Sequence, residues 1–196
     1  VLYGRSPRTK TIENVIDELE VLYSIGWRGP VFFVDDNFIG NKIKLKKEIL
    51  PAIIEWNEKN NYPFYYNTEG SINLADDEEL MNQMVAAGFE TVFIGIESPN
   101  EESLLECNKT QNIKRNLISS IKKIQNFGLE VQGGFIVGFD NDTPAIFDML
   151  TNFIQESGII TAMVGLLNAP KETKLYKRLK NEGRLLTDFT GNNTDF

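Results

Sequence analysis

Val92-Phe93-Ile94-Gly95-Ile96-Glu97-Ser98 runs through five small or apolar residues and then turns abruptly polar. A strand with one face in water alternates apolar and polar residues. This run is apolar on both faces, as a parallel strand covered by helices must be. Val31-Phe32-Phe33-Val34 reads the same way and turns polar at Asp35-Asp36-Asn37. Outward from these two runs, strand-like and helix-like stretches alternate along the chain. Thr11 is set to cap a first helix with Glu13 in its opening turn. Val15, Ile16, Leu19, Leu22 and Tyr23 give that helix an apolar stripe, and Gly26 ends it. The pattern then predicts a strand over 31–34, a helix over 42–59, a strand over 64–68, a helix over 76–87 stopped by Gly88, and a strand over 91–96. Helices over 101–106 and 113–127 precede a strand over 131–137. A helix over 143–156 precedes a strand over 160–167, and a last helix covers 171–182 before Gly183.

Strands each followed by a helix make an α/β fold with a parallel sheet, wound by right-handed crossovers into an open sheet or a partial barrel. The series begins with a helix, so a first strand is expected to be missing from the front, and 191–196 reads as a loose end cut inside a longer chain. A length of 196 residues with an ordinary apolar share suits one domain.

Composition excludes several classes of function. Asp and Glu outnumber Lys and Arg, leaving a formal charge of −8 and a pI near 4.7, which opposes binding to nucleic acid. The densest basic cluster is Lys42, Lys44, Lys46 and Lys47. It is interleaved with Ile43, Leu45 and Glu48 and is expected to be a solvated helix face. No run approaches the roughly 20 apolar residues of a bilayer span, and 1–10 lacks the apolar centre of a signal peptide, so the chain reads as cytoplasmic. With one cysteine and no histidine, the chain by itself has no ligand set for an iron–sulfur cluster or a zinc ion. Cys107 follows Leu104 and Leu105 on a short helix and is expected to be a buried, inert thiol.

Chemistry in such folds collects at the carboxyl ends of the strands. Each strand here ends in polar groups: Asp35-Asp36-Asn37, then Asn67 and Glu69, then Glu97-Ser98, then Asp140-Asn141-Asp142, then Asn168. They are expected to share one rim. Ser98, Asn141 and Asp142 read equally well as helix caps or turn residues, whereas Glu69 and Glu97 are poor caps and better site candidates. Gln132-Gly133-Gly134-Phe135-Ile136-Val137-Gly138-Phe139 places three glycines in and just after a strand. Their backbone could meet a flat ligand edge, and a bulge or tight helix packing accounts for them equally well.

Taken together and in order, these motifs resemble the radical S-adenosylmethionine enzymes, and in particular the cobalamin-dependent branch that includes hopanoid and lipid methylases. Gly4-Arg5 with Pro7-Arg8 resembles the segment after that family's cluster loop. Phe33-Val34-Asp35-Asp36-Asn37-Phe38 resembles its second-strand signature, and Gly95-Ile96-Glu97-Ser98 its fourth-strand motif. Gly134-Phe135-Ile136-Val137-Gly138-Phe139-Asp140 resembles the fifth-strand segment, while Ala169-Pro170, Thr173, Leu175-Tyr176 and Glu182-Gly183-Arg184-Leu185 resemble the sixth strand and the helix after it. The likeness covers nearly the whole chain. Two departures are plain: Asp140-Asn141-Asp142-Thr143 stands where many relatives have a Pro-Gly-Glu-Thr turn, and Lys171-Glu172 precedes Thr173 where a glycine is common. The largest is that the cysteine triplet C-x3-C-x2-C is absent.

The resemblance implies a partial parallel (βα) barrel of the radical SAM, TIM-like type without its first strand, with 1–196 a fragment of the core domain from the second to the sixth strand. It implies S-adenosylmethionine and a 4Fe-4S cluster as cofactors, the cluster ligands lying outside this chain, and cobalamin in the full-length protein. The reaction implied is reductive cleavage of S-adenosylmethionine to a 5′-deoxyadenosyl radical for C–H activation of a small-molecule or lipid substrate, as an iron-sulfur oxidoreductase or methyltransferase, with the fragment inactive alone. By the same resemblance Glu97 accepts hydrogen bonds from the cofactor's ribose or amino group, Ser98 lies beside it, and the backbone of Ile136, Val137 and Gly138 holds the adenine. Asn67 and Glu69 are assigned to the cofactor, and Asp35, Asp36, Asn37, Asp140 and Asn168 to the substrate side of the rim. No catalytic residue and no metal ligand is assigned. Two other readings stay open: a barrel hydrolase or lyase that uses Asp35, Asp36, Glu69 and Glu97 as an acid–base or magnesium-binding set, and a non-catalytic scaffold. Without a preceding strand the 31–34 run shows an unpaired edge, which predicts a homo-oligomer.

Overall fold

A computed structural model of the chain describes residues 9–185; the Gly4-Arg5 and Pro7-Arg8 motifs and the 191–196 end lie outside the described residues. The apolar runs form five strands: β1 (Gly29–Phe33), β2 (Phe64–Gly70), β3 (Phe89–Glu97), β4 (Glu130–Val137) and β5 (Thr161–Leu166). They lie side by side in chain order, every neighbouring pair parallel. Parallel neighbours need a crossover between them, and helices packed on one side curl the sheet into half of a (βα) barrel. Among the described residues β1 and β5 are its outer strands.

The expected cap forms at Thr11, and two further side chains cap helices. Thr11 accepts from the Asn14 N–H at the start of α1 (Ile12–Ser24), and Gly26 beyond its end adopts φ +83°. Asp77 caps α4 (Glu78–Ala86), and Asn100 caps α5 (Glu101–Glu106). Where the structure departs from the predicted bounds, backbone chemistry explains it. The helix expected over 42–59 is α2 (Lys42–Lys44), a wide turn over Leu45–Ile49, and α3 (Leu50–Lys59). Pro51 has no N–H to continue the ladder, and the Leu50 N–H reaches back five residues to the Leu45 carbonyl. The helix expected from 113 is α6 (Leu117–Asn126), which starts where the Asn116 side chain caps it, because Ile113 is extended and Lys114 has φ +55°. α7 (Ile146–Ser157) ends at Gly158 in the left-handed region, and α8 (Lys174–Asn181) begins where the Thr173 hydroxyl accepts from the Tyr176 N–H.

Alternation along each strand divides the sheet into two faces. Phe64, Tyr66 and Thr68, then Val92, Ile94 and Ile96, then Val131, Phe135 and Val137 are buried against the helices. Trp56 of α3 stacks on Phe64 with ring centroids 5.5 Å apart, and Phe33, Phe38, Tyr66 and Phe89 form one aromatic cluster. Fully buried Asn57 ties this layer together. Its amide donates to the Ala87 carbonyl (2.7 Å), and its Oδ1 accepts from the Tyr66 hydroxyl (3.0 Å), whose pKa burial pushes up to about 12. The residues between, including Phe32, Asn67, Glu69, Phe93, Gly95, Gln132, Gly134 and Met163, line the opposite, concave face. A largely apolar groove of about 410 Å³ runs beside β1, between α1 and the turn over Leu45–Ile49, and is separate from the β2–β4 part of that face.

Two expectations are corrected. Cys107 is exposed, not buried: α5 is a single short turn and a half, and the residue sits just past its end. Partial desolvation of the sulfur still holds the thiol above its usual pKa. The lysine cluster is more than a solvated face, because three of its members tether loops. Lys42 Nζ donates to the Asn73 carbonyl (2.9 Å), Lys44 Nζ to Thr9 Oγ1 (2.7 Å), and Lys46 Nζ pairs with Glu79 (2.7 Å) and Asp77 (3.2 Å). No helix among the described residues is long and apolar enough to cross a membrane.

Candidate functional site

Register places Asn67 and Glu69 on the concave face of β2 and Gly95 on that of β3, next to Gly134 of β4. The two glycines make a floor without side chains there. A Cβ on Gly134 would meet the Phe93 ring at 2.5 Å, and one on Gly95 would stand 2.6 Å from Glu97 Oε1 and 2.9 Å from Lys109 Nζ. A side chain at either position would displace these neighbours from their present places. The register of β3 against β4 slips between Gly95 and Glu97, and Glu97 adopts φ +68°, which a residue with a Cβ rarely does. Observed strain of this kind at a strand end is characteristic of a ligand site. The bulge swings the carboxylate back over Gly95, where Lys109 Nζ donates to Oε1 at 2.6 Å.

Beneath the bulge lies Asn112, nearly fully buried, whose Nδ2 donates to the Ile96 carbonyl (3.0 Å) and more weakly to that of Gly95 (3.4 Å). Buried Ser98 shapes the chain after it: its N–H donates to the Ile96 carbonyl, and its Oγ accepts from the Asn100 N–H. Sequence reasoning missed Lys109 and Asn112. They lie beyond α5, more than ten residues from Glu97, and no spacing rule links a lysine and an amide there to a strand end.

On β2, Asn67 Oδ1 is buried with no hydrogen-bond partner among the described residues. An orphaned acceptor of this kind calls for a donor from outside. Glu69, two residues on, has its carboxyl pKa raised by burial and, in second place, by the nearby charges of Asp36 and Asp35. Asp35 and Asp36 are exposed beyond β1, and the Asn37 N–H donates to Asp35 Oδ1. Asn37 Oδ1 accepts from Ser71, joining the two loops. The rim thus brings Asp35, Asp36 and Glu69 near one another, with Glu97 held apart by its lysine. No group of three or more His, Cys, Asp or Glu among the described residues is placed to hold a metal ion, which removes the geometric support for the magnesium reading.

The β4 end is organised by side chains that the sequence left between capping and function. Asp142 Oδ2 accepts from the N–H groups of Gly138 (2.8 Å) and Phe139 (3.1 Å), and its Oδ1 accepts from the buried Ser103 hydroxyl (2.9 Å). Asp142 therefore fastens the loop after β4 to α5. The Val137 carbonyl accepts from the Leu167 N–H. Beyond the ladder that pairs Ile136 and Val137 with β5, the Gly138 N–H and the Val137 carbonyl are thus engaged as well, while the Ile136 side chain shares the concave face with Gly165. Asp140 is clamped by Arg178 and by Arg184 (2.6 Å), and its own N–H donates to Glu106, which also pairs with Arg178 (3.0 Å). The bonds from Arg184 and then Arg178 hold its pKa down at about 2. Its carboxylate is spent on anchoring α8 and the residues after it. Asn168, half-buried, lies two residues past β5, and Asn141 is exposed.

The chain as a whole is similar to known proteins. A family model described as the Radical SAM superfamily matches residues 2–154. The chain belongs to the radical SAM superfamily. An uncharacterized methyltransferase of Synechocystis sp. is 47% identical over 98% of this chain and 36% of its own length. The hopanoid C-2 methylase of Rhodopseudomonas palustris is 40% identical over 95% of this chain and 35% of its own. The radical S-adenosylmethionine methyltransferase TsrM of Kitasatospora setae, solved with cobalamin and a [4Fe-4S] cluster bound, superposes over 93% of this chain and 36% of its own with a TM-score of 0.74 at 15% identity, which shows a shared fold. The chain spans about a third of the length of these relatives. Radical SAM proteins use S-adenosylmethionine and a 4Fe-4S cluster. The donor set here fits the first and not the second: the concave face offers Asn67 Oδ1 and the Glu69 and Glu97 carboxylates to a cationic, donor-rich ligand, whereas a cluster needs several thiolates and the chain has one, Cys107.

Proposed function

We propose that this chain holds S-adenosylmethionine for a radical methyltransferase, and that the cluster ligands lie elsewhere in the full-length protein, so that the chain by itself is inactive. The observation that carries the reading is the buried, unpartnered Asn67 oxygen on the same concave face as the strained Glu97. Sulfonium and ammonium are cations, and ribose and adenine present O–H and N–H donors. A face lined by an orphan amide oxygen and carboxylates suits such a ligand on both counts. Asn67 accepts a hydrogen bond from it, Glu97 takes its ribose or amino group, and Glu69 adds negative potential. Ile136 packs against the adenine above the Gly95 and Gly134 floor, where any side chain would intrude. Asp142 and Asn112 hold the two loops in place. When bound with its cluster, the cofactor supplies the radical that abstracts hydrogen from an unactivated carbon; the residues named here position it and keep water away.

The substrate class proposed is a small molecule or lipid, by similarity to the hopanoid C-2 methylase, and cobalamin dependence is proposed by similarity to TsrM. Asp35, Asp36 and Asn37 stand on the rim where substrate would approach. Homo-oligomerisation through the β1 edge is proposed on that strand's outer position. The test is anaerobic reconstitution of the full-length protein with iron and sulfide, followed by dithionite and S-adenosylmethionine. Formation of 5′-deoxyadenosine is expected, and Asn67→Ala is expected to weaken cofactor binding roughly tenfold, the weight of one buried hydrogen bond. A protein that takes up a full cluster and leaves the cofactor intact overturns the reading.

A further inference from the structure

We infer that Lys109 is a positioning residue for the cofactor: it acts through Glu97, which it holds folded back over Gly95 so that the carboxylate is set before the ligand arrives. The inference rests on the reading that Glu97 contacts S-adenosylmethionine, and it adds a residue and a mechanism that the strand motif itself does not contain.

Three independent features converge on the pair. Lys109 Nζ stands 2.6 Å from Glu97 Oε1 with both side chains about four-fifths buried, at 24% and 19% exposure, so the contact is shielded from the solvent that weakens surface pairs. The pair lies in the space left by glycine at 95, since a Cβ there would lie within 3 Å of both charged atoms and displace them from their present positions. The Glu97 backbone is committed to φ +68°, and Asn112 grips the two carbonyls just before it. A glutamate has three rotatable side-chain bonds, and ordering them at the moment of binding costs affinity; a lysine that orders them beforehand removes that cost. Lys109 is itself fixed, because its N–H donates to the Leu104 carbonyl at the end of α5. Oε2 has no hydrogen-bond partner among the described residues and is the atom left to meet the ligand.

The test measures binding of S-adenosylhomocysteine, which does not react, to the full-length protein by isothermal titration calorimetry. Glu97→Gln is expected to weaken binding at least roughly tenfold, and Lys109→Met to do nearly the same. Lys109→Arg restores most of the affinity, since a guanidinium also reaches the carboxylate. Lys109→Gln removes the charge and keeps most of the polar stem, and it is expected to reproduce Lys109→Met; this variant decides the matter if Lys109→Met fails to fold. In the Glu97→Gln background, Lys109→Met is expected to cause no further loss, the mark of one residue acting through another. Unchanged binding by Glu97→Gln refutes the underlying contact. A loss in Glu97→Gln with none in Lys109→Met or Lys109→Gln refutes positioning. Additive losses in the double variant refute it too, by showing that Lys109 meets the ligand directly.

Discussion

Replacing Asp142 by alanine removes three hydrogen bonds at once, and its consequence can be worked from the structure. The carboxylate accepts from the Gly138 and Phe139 N–H groups and from the Ser103 hydroxyl. Bonds to a charged acceptor contribute about 1.5–3 kcal/mol each in favourable sites, and Asp142 is only half-buried, so each is discounted. Gly138 is exposed, and water replaces its lost acceptor at little cost. Phe139 and Ser103 are buried, and their donors would be left unpaired. The net loss is about 3 kcal/mol, which in a domain of this size lowers Tm by roughly 6–12 °C. If the opening is confined to the loop after β4, the Gly138 and Phe139 amides exchange roughly a hundredfold faster while the β2 and β3 amides do not change. Asp142→Asn keeps an oxygen for the two N–H groups and an amide for Ser103 Oγ, and should lose no more than about 1 kcal/mol. Thermal melting gives the global effect, and hydrogen exchange followed by mass spectrometry gives the local one. Unchanged exchange at 138 and 139 in Asp142→Ala would refute the assignment of Asp142 as the fastener of this loop.

Two further outcomes are expected. Asn57→Ala leaves the Tyr66 hydroxyl and the Ala87 carbonyl unpaired in a fully buried site and should cost about 3 kcal/mol in urea unfolding, whereas Tyr66→Phe, which deletes one partner, should cost about half of that. The Asp140 clamp should fail with acid, in the following direction. Its folded pKa, about 2, lies below the ordinary aspartate value of 3.8, so its stabilisation is fully present above pH 4 and is lost as pH falls toward 2. Trypsin should then cut at Arg178 and Arg184 readily in Asp140→Asn at pH 7 and slowly in the parent protein; equal rates would show that the clamp does not hold α8.

The order of strands, the burial of Val92, Ile94 and Ile96 and the cap at Thr11 were legible because they depend on neighbours in the chain; the reading of the 92–96 run as covered on both faces is corrected, since Phe93 and Gly95 line the concave face and helices pack only on the other. Period-two alternation carries every second residue of a strand to the helix-covered face, and a hydroxyl three residues ahead of an amide caps it wherever the segment sits. The rim was legible for the same reason: a parallel sheet with sequential order sends every strand's carboxyl end the same way, which is how Asn67, Glu69 and Glu97 came to be named together. Roles within the rim were not legible. Asp140 and Asp142 look alike in sequence, and only the approach of Arg178 and Arg184 from α8 and beyond, and of Ser103 from α5, turned one into a clamp and the other into a loop fastener. Cys107 looked buried beside two leucines, but α5 ends at Glu106 and leaves the next residue exposed. Local periodicity determined which elements form and which way the strands run. The pair of Glu97 with Lys109, twelve residues apart and joined over a glycine gap, was decided by tertiary packing alone, because a contact across a bulge depends on where two loops are carried by the sheet and leaves no period in the chain.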